Sequence, residues 1–440
     1  MFYFSVFMKK NIFYVLFFLT FGIVLYLWWA TSSSLLTGTS TDVYLSLGRL
    51  AGLFFQYFIL LQLILIGRIT WIEKQFGHDE LNKLHRWVGT GTLTFLVFHP
   101  VFLILAYSRM LEITFLQQLV AFLGGDDIFG AFLAVLILLL AIALSMPFIR
   151  RKVRYEIWYI SHLFIYLAIF LAFEHQFSGG DLRTVGATLY WYAYNYLVFG
   201  LLAYYRFIRP IYNSFVHQFV VEKVVQESKD VYSVYITGKN MERFRFLPGQ
   251  FAHFFFLGKG FWFAHPFSFS ALPNGETIRI TVKSLGDFTA RVKDMKPGTK
   301  VLIDGPLGRF VEVNPEQKKY LLIAGGIGIT PIFSLFQSFD TKQKDVAFLY
   351  SNRTKDDIIF EKQISSLNGK KFLFLSDATE KISGYEQGKI DKEKIANLIG
   401  DVKEREVYIC GPAPMMKAIA QALHELGLPK SRIHYEKFAY

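Results

Sequence analysis

Six apolar runs crowd the first half of this 440-residue chain, at roughly 11–31, 46–69, 85–106, 128–148, 158–175 and 187–207. Two of them carry histidines in pairs. His85 and His99 stand fourteen residues apart in HRWVGTGTLTFLVFH, and His162 and His175 thirteen apart in HLFIYLAIFLAFEH. On a helix rising 1.5 Å per residue these spacings are about 21 Å and about 20 Å. Each pair then covers most of a hydrocarbon core roughly 30 Å thick, with one histidine near each face. Both spacings are close to four turns of about 3.6 residues, so the two histidines of a pair face nearly the same way. Two such helices side by side offer two stacked bis-imidazole cages, which suits two haems one above the other. A histidine inside an apolar helix can also serve packing or a hydrogen bond across the bundle. Four at matching spacings on two runs favour ligation, because ionisable groups are costly within a bilayer.

The chain is 18% aromatic with a mean hydropathy of +0.33, and the apolar excess lies in its first half. The first run is long and aromatic with no small-residue cleavage site, so it is expected to be a retained helix rather than a signal peptide. Lys9, Lys10, Arg68, Lys74, Lys83, Arg150, Arg151, Lys152, Arg154, Arg206 and Arg209 fall in alternate loops, while Arg109 and Arg183 share the others with Glu112, Asp126, Asp127 and Asp181. The positive-inside rule then predicts both termini in the cytoplasm, in a cell inner or cytoplasmic membrane, and an even number of spans agrees. The net charge of +12 sits largely at helix ends. Anionic lipid is the expected partner there, and nucleic acid is not. A single cysteine, Cys410, excludes an intramolecular disulfide and a cysteine-rich metal site.

From about residue 215 the pattern turns to period-two alternation in FVVEKVVQ, VYSVYIT, HFFFL, IRITVKSL and KVLIDGPLG, which predicts an antiparallel β-barrel. Beyond 318, buried runs alternate with helical stretches, as in KKYLLIAGGIGITPIFSLFQSF and EVYICGPAPMMKAIAQALHELG, the pattern of a parallel α/β sheet. The expected fold is a multidomain membrane protein: a six-helix transmembrane bundle over 1–209, a β-barrel domain over 210–315 and an α/β domain over 316–440. With both termini inside, the third and fifth spans run outward. His85 with His162 then forms the inner pair, and His99 with His175 the outer. Two imidazole nitrogens on each iron leave no open position, which favours electron transfer over oxygen binding. Gly89 and Gly91 leave room for a flat macrocycle. Arg68 and Arg86 near the inner face and Arg49 near the outer face can meet haem propionates, although snorkelling explains Arg68 as well. Arg49 is the more telling, because it lies in an apolar run and needs a counter-charge.

HPFSFS, from His265 through Pro266, Phe267 and Ser268 to Ser270, can set a hydroxyl and backbone amides against a flavin edge. KSLGDFT adds Gly286 and Thr289 at a helix start, a cradle for a pyrophosphate. IAGGIGITP places Gly325, Gly326, Gly328 and Thr330 between a buried strand and a helix, where glycines let phosphates reach backbone N–H groups. YICGPAPMM puts Cys410, Gly411 and Pro412 at the end of another strand. The thiol there either orients a nicotinamide or is a buried structural group. Ser351, Arg353 and Lys355 offer a hydroxyl and cations to an adenosine 2′-phosphate, so NADPH is preferred over NADH. The aromatic tail IHYEKFAY can cover a flavin ring, through Phe438 or, on the same strand face, Tyr440.

With His85/His99, His162/His175, HPFSFS, GDFT, GGIGITP, YICGP and the aromatic tail in this order, the chain resembles bacterial NADPH oxidases of the ferric-reductase transmembrane superfamily. The likeness is more distant to phagocyte and plant oxidases, and it covers nearly the whole length. It implies a ferredoxin-NADP reductase-like module behind the bundle, with FAD, two haem b groups and NADPH as cofactors. It also implies that His265 and Ser268 touch flavin, that Thr289 meets its phosphates, and that Gly325 to Thr330 with Cys410 meet the nicotinamide nucleotide. Arg49 and Arg68 match arginines near haem and the oxygen pocket. The implied activity carries electrons from cytoplasmic NADPH to dioxygen outside, giving superoxide. Reduction of ferric or cupric ions by the same path is the alternative, and donation to an external reductase protein a third. No calcium-binding motif or long insertion points to a regulatory subunit.

Overall fold

The computed structural model describes residues 2–178, 180–258, 260–261 and 263–437. The chain divides into two compact units, one of Lys10–Gly67 and Leu81–Leu202, the other of Met1–Lys9, Arg68–Glu80 and Ala203–Tyr440.

The first unit is helical. In chain order the helices described up to residue 217 are α1 (Phe2–Ser32), α2 (Ser40–Ile66), α3 (Thr70–Phe76), α4 (His78–Met110), α5 (Phe115–Leu123), α6 (Asp126–Ser145), α7 (Pro147–Arg150), α8 (Tyr155–Leu171), α9 (His175–Ser178), α10 (Val185–Ala203) and α11 (Arg209–His217), of which α3 and α11 fall in the second unit. Among the described residues four stretches are long and apolar enough to cross a membrane: Lys10–Thr37, Ser40–Ile66, His78–Met110 and Ile128–Ser145. Glu156–Leu171 is apolar but shorter. Large apolar side chains point outward along them, among them Phe18 at 65% exposure and Leu140 at 59%. A water-soluble surface would not carry so many. The chain is a multi-pass membrane protein.

Helix α2 is the hub of this unit. The side chain of Thr39 starts it in a capping box with Asp42, which satisfies otherwise orphaned N–H groups. Phe54 stacks on Phe21 of α1 at 5.3 Å, Phe58 on Phe95 of α4 at 5.7 Å, and Tyr57 on Tyr194 of α10 at 5.7 Å between ring centres. Gln56 donates to Asn195 across 2.7 Å, a buried polar tie that fixes the register of α2 against α10. Gly130 lets α6 approach α8 closely, since a Cβ there would lie 2.8 Å from the Leu171 carbonyl oxygen.

The second unit builds two sheet layers and a doubly wound domain. Strands β1 (Val220–Ser228), β2 (Val231–Thr237), β3 (Phe251–Phe256), β4 (His265–Ser268), β5 (Ile278–Lys283) and β6 (Val301–Leu307) are antiparallel. They form two three-stranded sheets, β1-β2-β5 and β4-β3-β6, rather than one continuous ladder. Isolated bridges Val220–Lys300 and Phe269–Ile280 tie the sheets together around a shared core that includes Phe219, Val234, Phe254 and Phe269. After the short helix α12 (Asp287–Ala290) and β6, the chain alternates β7 (Lys319–Gly325), α13 (Ile329–Thr341), β8 (Asp345–Asn352), α14 (Glu361–Ser366), β9 (Lys370–Leu375), β10 (Glu386–Gln387), α15 (Lys392–Leu398), β11 (Glu406–Cys410), α16 (Ala413–Glu425) and β12 (Ile433–Glu436). All six of these strands are parallel, in the order β10-β9-β8-β7-β11-β12, with apolar clusters on both faces.

The stretch Arg68–Glu80 belongs to this second unit. Arg68 Nη1 meets Asp304 Oδ2 at 2.7 Å, and Arg209 Nη2 meets Asp304 Oδ1 at 3.0 Å, so one carboxylate of β6 holds α3 and α11 together. Arg309 donates to the Gln75 carbonyl at 3.4 Å. Glu73 is buried beside this cluster, and its Oε1 has no hydrogen-bond partner.

Candidate redox-cofactor sites

His85 and His99 both lie on α4, as their spacing requires. His162 and His175 do not share a helix. Helix α8 ends at Leu171, its last turn tightening as Phe173 N donates to the Phe170 carbonyl, and His175 opens α9. The calculated rise of about 20 Å for that pair therefore does not apply. The pairing across the bundle is nonetheless present. The rings of His99 and His175 stand 6.3 Å apart between centroids. Two imidazole–metal bonds of about 2 Å, plus about 1.1 Å from each nitrogen to its ring centre, give roughly the same separation. His85 and His162 are close enough to interact electrostatically, and the Nδ1 atoms of both are buried without a hydrogen-bond partner.

His99 is the best positioned of the four. Its Nδ1 lies 2.8 Å from the Gly48 carbonyl oxygen. A carbonyl only accepts, so Nδ1 carries the proton and Nε2 keeps its lone pair. Gly52, one turn further along α2, makes room for the ring, because a Cβ there would lie 2.6 Å from the imidazole. Neither glycine was singled out from sequence; GRLAG, with two small residues four apart in an apolar run, was the available sign. A Cβ on Gly91 would meet nothing within 4 Å, whereas one on Gly89 would face Gln62 Oε1 at 3.3 Å.

The three arginines differ. Arg49 donates from Nη1 to Ser32 Oγ at 3.3 Å, and its guanidinium covers Gly180. The Ser32 hydroxyl in turn donates to Asp181 at 2.6 Å. Arg68 is committed to Asp304, and Arg86 is exposed.

In the second unit an open cleft is lined by Pro266, Phe267, Ser268, Thr289 and Thr330, five residues expected at the flavin and nucleotide sites. Phe251, Thr281, Lys283, Ile327, Glu436 and Lys437 complete much of its wall. Sequence reasoning passed over these, since a lysine at a strand end carries no distinctive pattern. The Ser268 hydroxyl is buried on this wall without a partner, an orphan that a bound polar group would satisfy. Thr289 caps its own turn by accepting from Leu285 N and Gly286 N, both at 2.9 Å. His265 packs tilted against Phe288, with centroids 3.8 Å apart. Ser270 turns inward instead, bonded to Thr281 at 2.8 Å and to Arg279.

The two glycine loops meet backbone to backbone. A Cβ on Gly328 would collide with the Cys410 carbonyl, and one on Gly411 would lie 3.1 Å from Gly325 Cα. A Cβ on Gly325 would strike Met415 and Pro412. Gly326 has φ +51° and open space where its Cβ would be, so its backbone faces outward. Ser351 lies half-buried one residue before the end of β8, with Arg353 and Lys355 exposed just beyond the strand. Phe438 and Tyr440 lie outside the described residues.

Electrostatics set three protonation states near the cleft. Burial pushes the Cys410 thiol well above its usual range, so it stays neutral. Burial, aided by the carboxylates of Asp79 and Glu73, lifts Glu436 to about 8. Burial likewise holds His253 neutral, and neither of its ring nitrogens has a hydrogen-bond partner.

Three family matches cover the chain in sequence. The ferric reductase like transmembrane component matches residues 47–173, an FAD-binding domain 216–311, and an oxidoreductase NAD-binding domain 322–421. Half of the chain is 30% identical to the glycine betaine monooxygenase reductase subunit of Chromohalobacter salexigens (49% of this chain, 62% of that protein). It is 31% identical to flavohemoprotein A of Dictyostelium discoideum (50% and 60%). The chain thus spans about 60% of the length of these relatives. The electron transfer subunit of dihydroorotate dehydrogenase B from Fusobacterium nucleatum is 30% identical over 47% of this chain and 80% of its own length. Among solved structures, the flavohem-like FAD/NAD binding domain of nitric oxide dioxygenase from Vibrio cholerae is 26% identical, with a TM-score of 0.44 over 50% of this chain and 97% of that one. The chain belongs with that electron transfer subunit to the FAD- and NAD(P)-binding reductases, and carries ahead of this module a segment that matches the ferric reductase like transmembrane component.

Proposed function

We propose that this protein carries electrons from cytoplasmic NADPH through FAD and two b-type haems to a ferric chelate on the outer side of the membrane. The observation that carries the proposal is the His99–His175 ring separation of 6.3 Å, with the His99 tautomer fixed by Gly48. His85 with His162 would hold the inner haem and His99 with His175 the outer, within a bundle of six spans whose termini face the cytoplasm. When bound, FAD would turn the two electrons of a hydride into single-electron transfers, and the haems would relay them along the bundle.

The chain's own residues bind and orient. The free hydroxyl of Ser268 would satisfy a polar flavin edge, and Phe251 and Phe267 would bury its rings. Lys283 would offset phosphate charge, while Gly325, Gly326, Gly328, Thr330, Gly411 and Pro412 would let the nicotinamide nucleotide approach the backbone. Cys410, neutral at physiological pH, would orient the nicotinamide by contact rather than as a nucleophile. Ser351 and Arg353 would select the 2′-phosphate of NADPH. Arg49, next in the chain to the Gly48 carbonyl that holds His99, would favour an anionic chelate.

Dioxygen was the acceptor favoured by sequence. The ferric-reductase-like family match to residues 47–173 supports iron instead. Purified full-length protein given NADPH and ferric citrate should reduce iron at similar rates with and without air, insensitively to superoxide dismutase. Turnover that needs oxygen and yields dismutase-sensitive cytochrome reduction would restore the superoxide reading. Preparations without low-spin b-type bands would remove both.

A further inference from the structure

The backbone is helical without a break from Val185 to His217, through α10, a π-turn at Tyr204–Ile208, and α11. At 1.5 Å per residue this is about 50 Å of helix. A hydrocarbon core of roughly 30 Å accounts for only part of it. Over the last turns one stripe remains apolar and open. Tyr204, Phe207, Ile208, Ile211, Tyr212 and Phe215 are 50%, 59%, 55%, 49%, 65% and 76% exposed. They recur at intervals of three and four, the spacing of one helical face. The opposite face is engaged, with Pro210 and His217 buried and Arg209 bound to Asp304. A water-facing helix would carry charge where these rings stand.

The same spacing runs back into α10, where Leu189, Tyr196 and Leu197 are 63%, 65% and 61% exposed. The chain passes directly into this stripe from α10, an apolar helix that the proposed bundle sets against lipid. Tyrosine and phenylalanine dominate its end, the residues that settle at the headgroup boundary. Lys239, whose backbone N–H bonds the His217 carbonyl at 2.6 Å, adds an exposed cation at the terminus of α11.

We infer that the exposed face of Tyr204–Phe215 is a membrane-docking surface, seated about 5–10 Å into the interface of an anionic bilayer. This rests on the reading of α10 as a span. The partner is lipid, held by aromatic and aliphatic burial with Lys239 near the headgroups. No other protein is needed to cover the stripe.

The test uses full-length protein in vesicles of phosphatidylcholine and phosphatidylglycerol, with a nitroxide on Phe215→Cys, Ile208→Cys, Leu197→Cys or Lys362→Cys. Native Cys410 is fully buried, and unlabelled wild type checks that it stays silent. Collision with oxygen, which concentrates in lipid, is compared with collision with a water-soluble nickel chelate. Labels at 208 and 215 should show an oxygen-to-nickel ratio several-fold above that at exposed Lys362, and between Lys362 and Leu197. A ratio at 215 and 208 equal to that at Lys362 overturns the inference while leaving a lipid-facing Leu197 intact. Exclusion of both reagents, meaning a protein covers the stripe, overturns it as well. A water-like Leu197 would instead remove the span reading on which it rests. If one labelled variant fails to fold, the other on the same face decides.

Discussion

Gly52 faces the His99 imidazole so closely that any Cβ would displace the ring. Gly52→Val should therefore lower haem content towards about one per chain and alter the remaining low-spin band, with flavin content unchanged; pyridine haemochrome and flavin assays on the same sample check this. His99→Leu should give the same loss with α2 untouched, so agreement between the two variants assigns the effect to the ligand. At the nucleotide end, Arg353→Ala should weaken NADPH by about 10- to 100-fold and NADH little, the size of one charge-assisted hydrogen-bond set lost; KM for each nucleotide measures it. The residue scale was only partly legible. The histidines announced themselves because an ionisable group in an apolar run stands out. Gly48 and Gly52 act through a backbone oxygen and an absent atom, which no residue type advertises. Ser270 was read with its neighbours in HPFSFS, yet the alternation of the strand turns it into a polar network with Thr281 and Arg279.

At the scale of elements, α3 was invisible in sequence. Thr70–Phe76 reads as a loop between apolar runs, and Arg68, which leads into it, pairs with Asp304, 236 positions away. Its buried Glu73 gives a pH signature. Burial lifts this carboxyl from 4.5 to about 7, against the pull of Arg68. The unfolded chain ionises near 4.5 and the folded one near 7, so stability from this group is complete below 4.5 and is lost as pH rises through 7. Glu73→Gln cannot ionise. Relative to that variant, wild type should lose on the order of 3 kcal/mol between pH 4.5 and pH 8, seen as a pH-dependent gap in thermal unfolding. A gap independent of pH would mean that Glu73 is ordinary in its titration. The parallel sheet, by contrast, was plain from its buried runs, because strands covered on both faces cannot be polar on either. The antiparallel half was read as one barrel. It forms two three-stranded sheets tied by isolated bridges, the joins at Val220–Lys300 and Phe269–Ile280 each being a single residue pair.

For the whole molecule, the order of parts was legible: membrane helices, then an FAD-binding domain, then an NAD-binding domain. The acceptor was not, because nothing in the proposed histidine-held relay specifies what collects the last electron. The central claim is that charge crosses the bilayer through the protein. Proteoliposomes holding ferric EDTA inside and NADPH outside test it most directly, with the ferrous product read by a trapped chelating dye. Molecules whose reductase module faces outward should reduce the enclosed iron, and His99→Leu should abolish this while NADPH still reduces the flavin. Iron reduction only when NADPH and chelate share a compartment, or undiminished reduction in His99→Leu, would contradict the account.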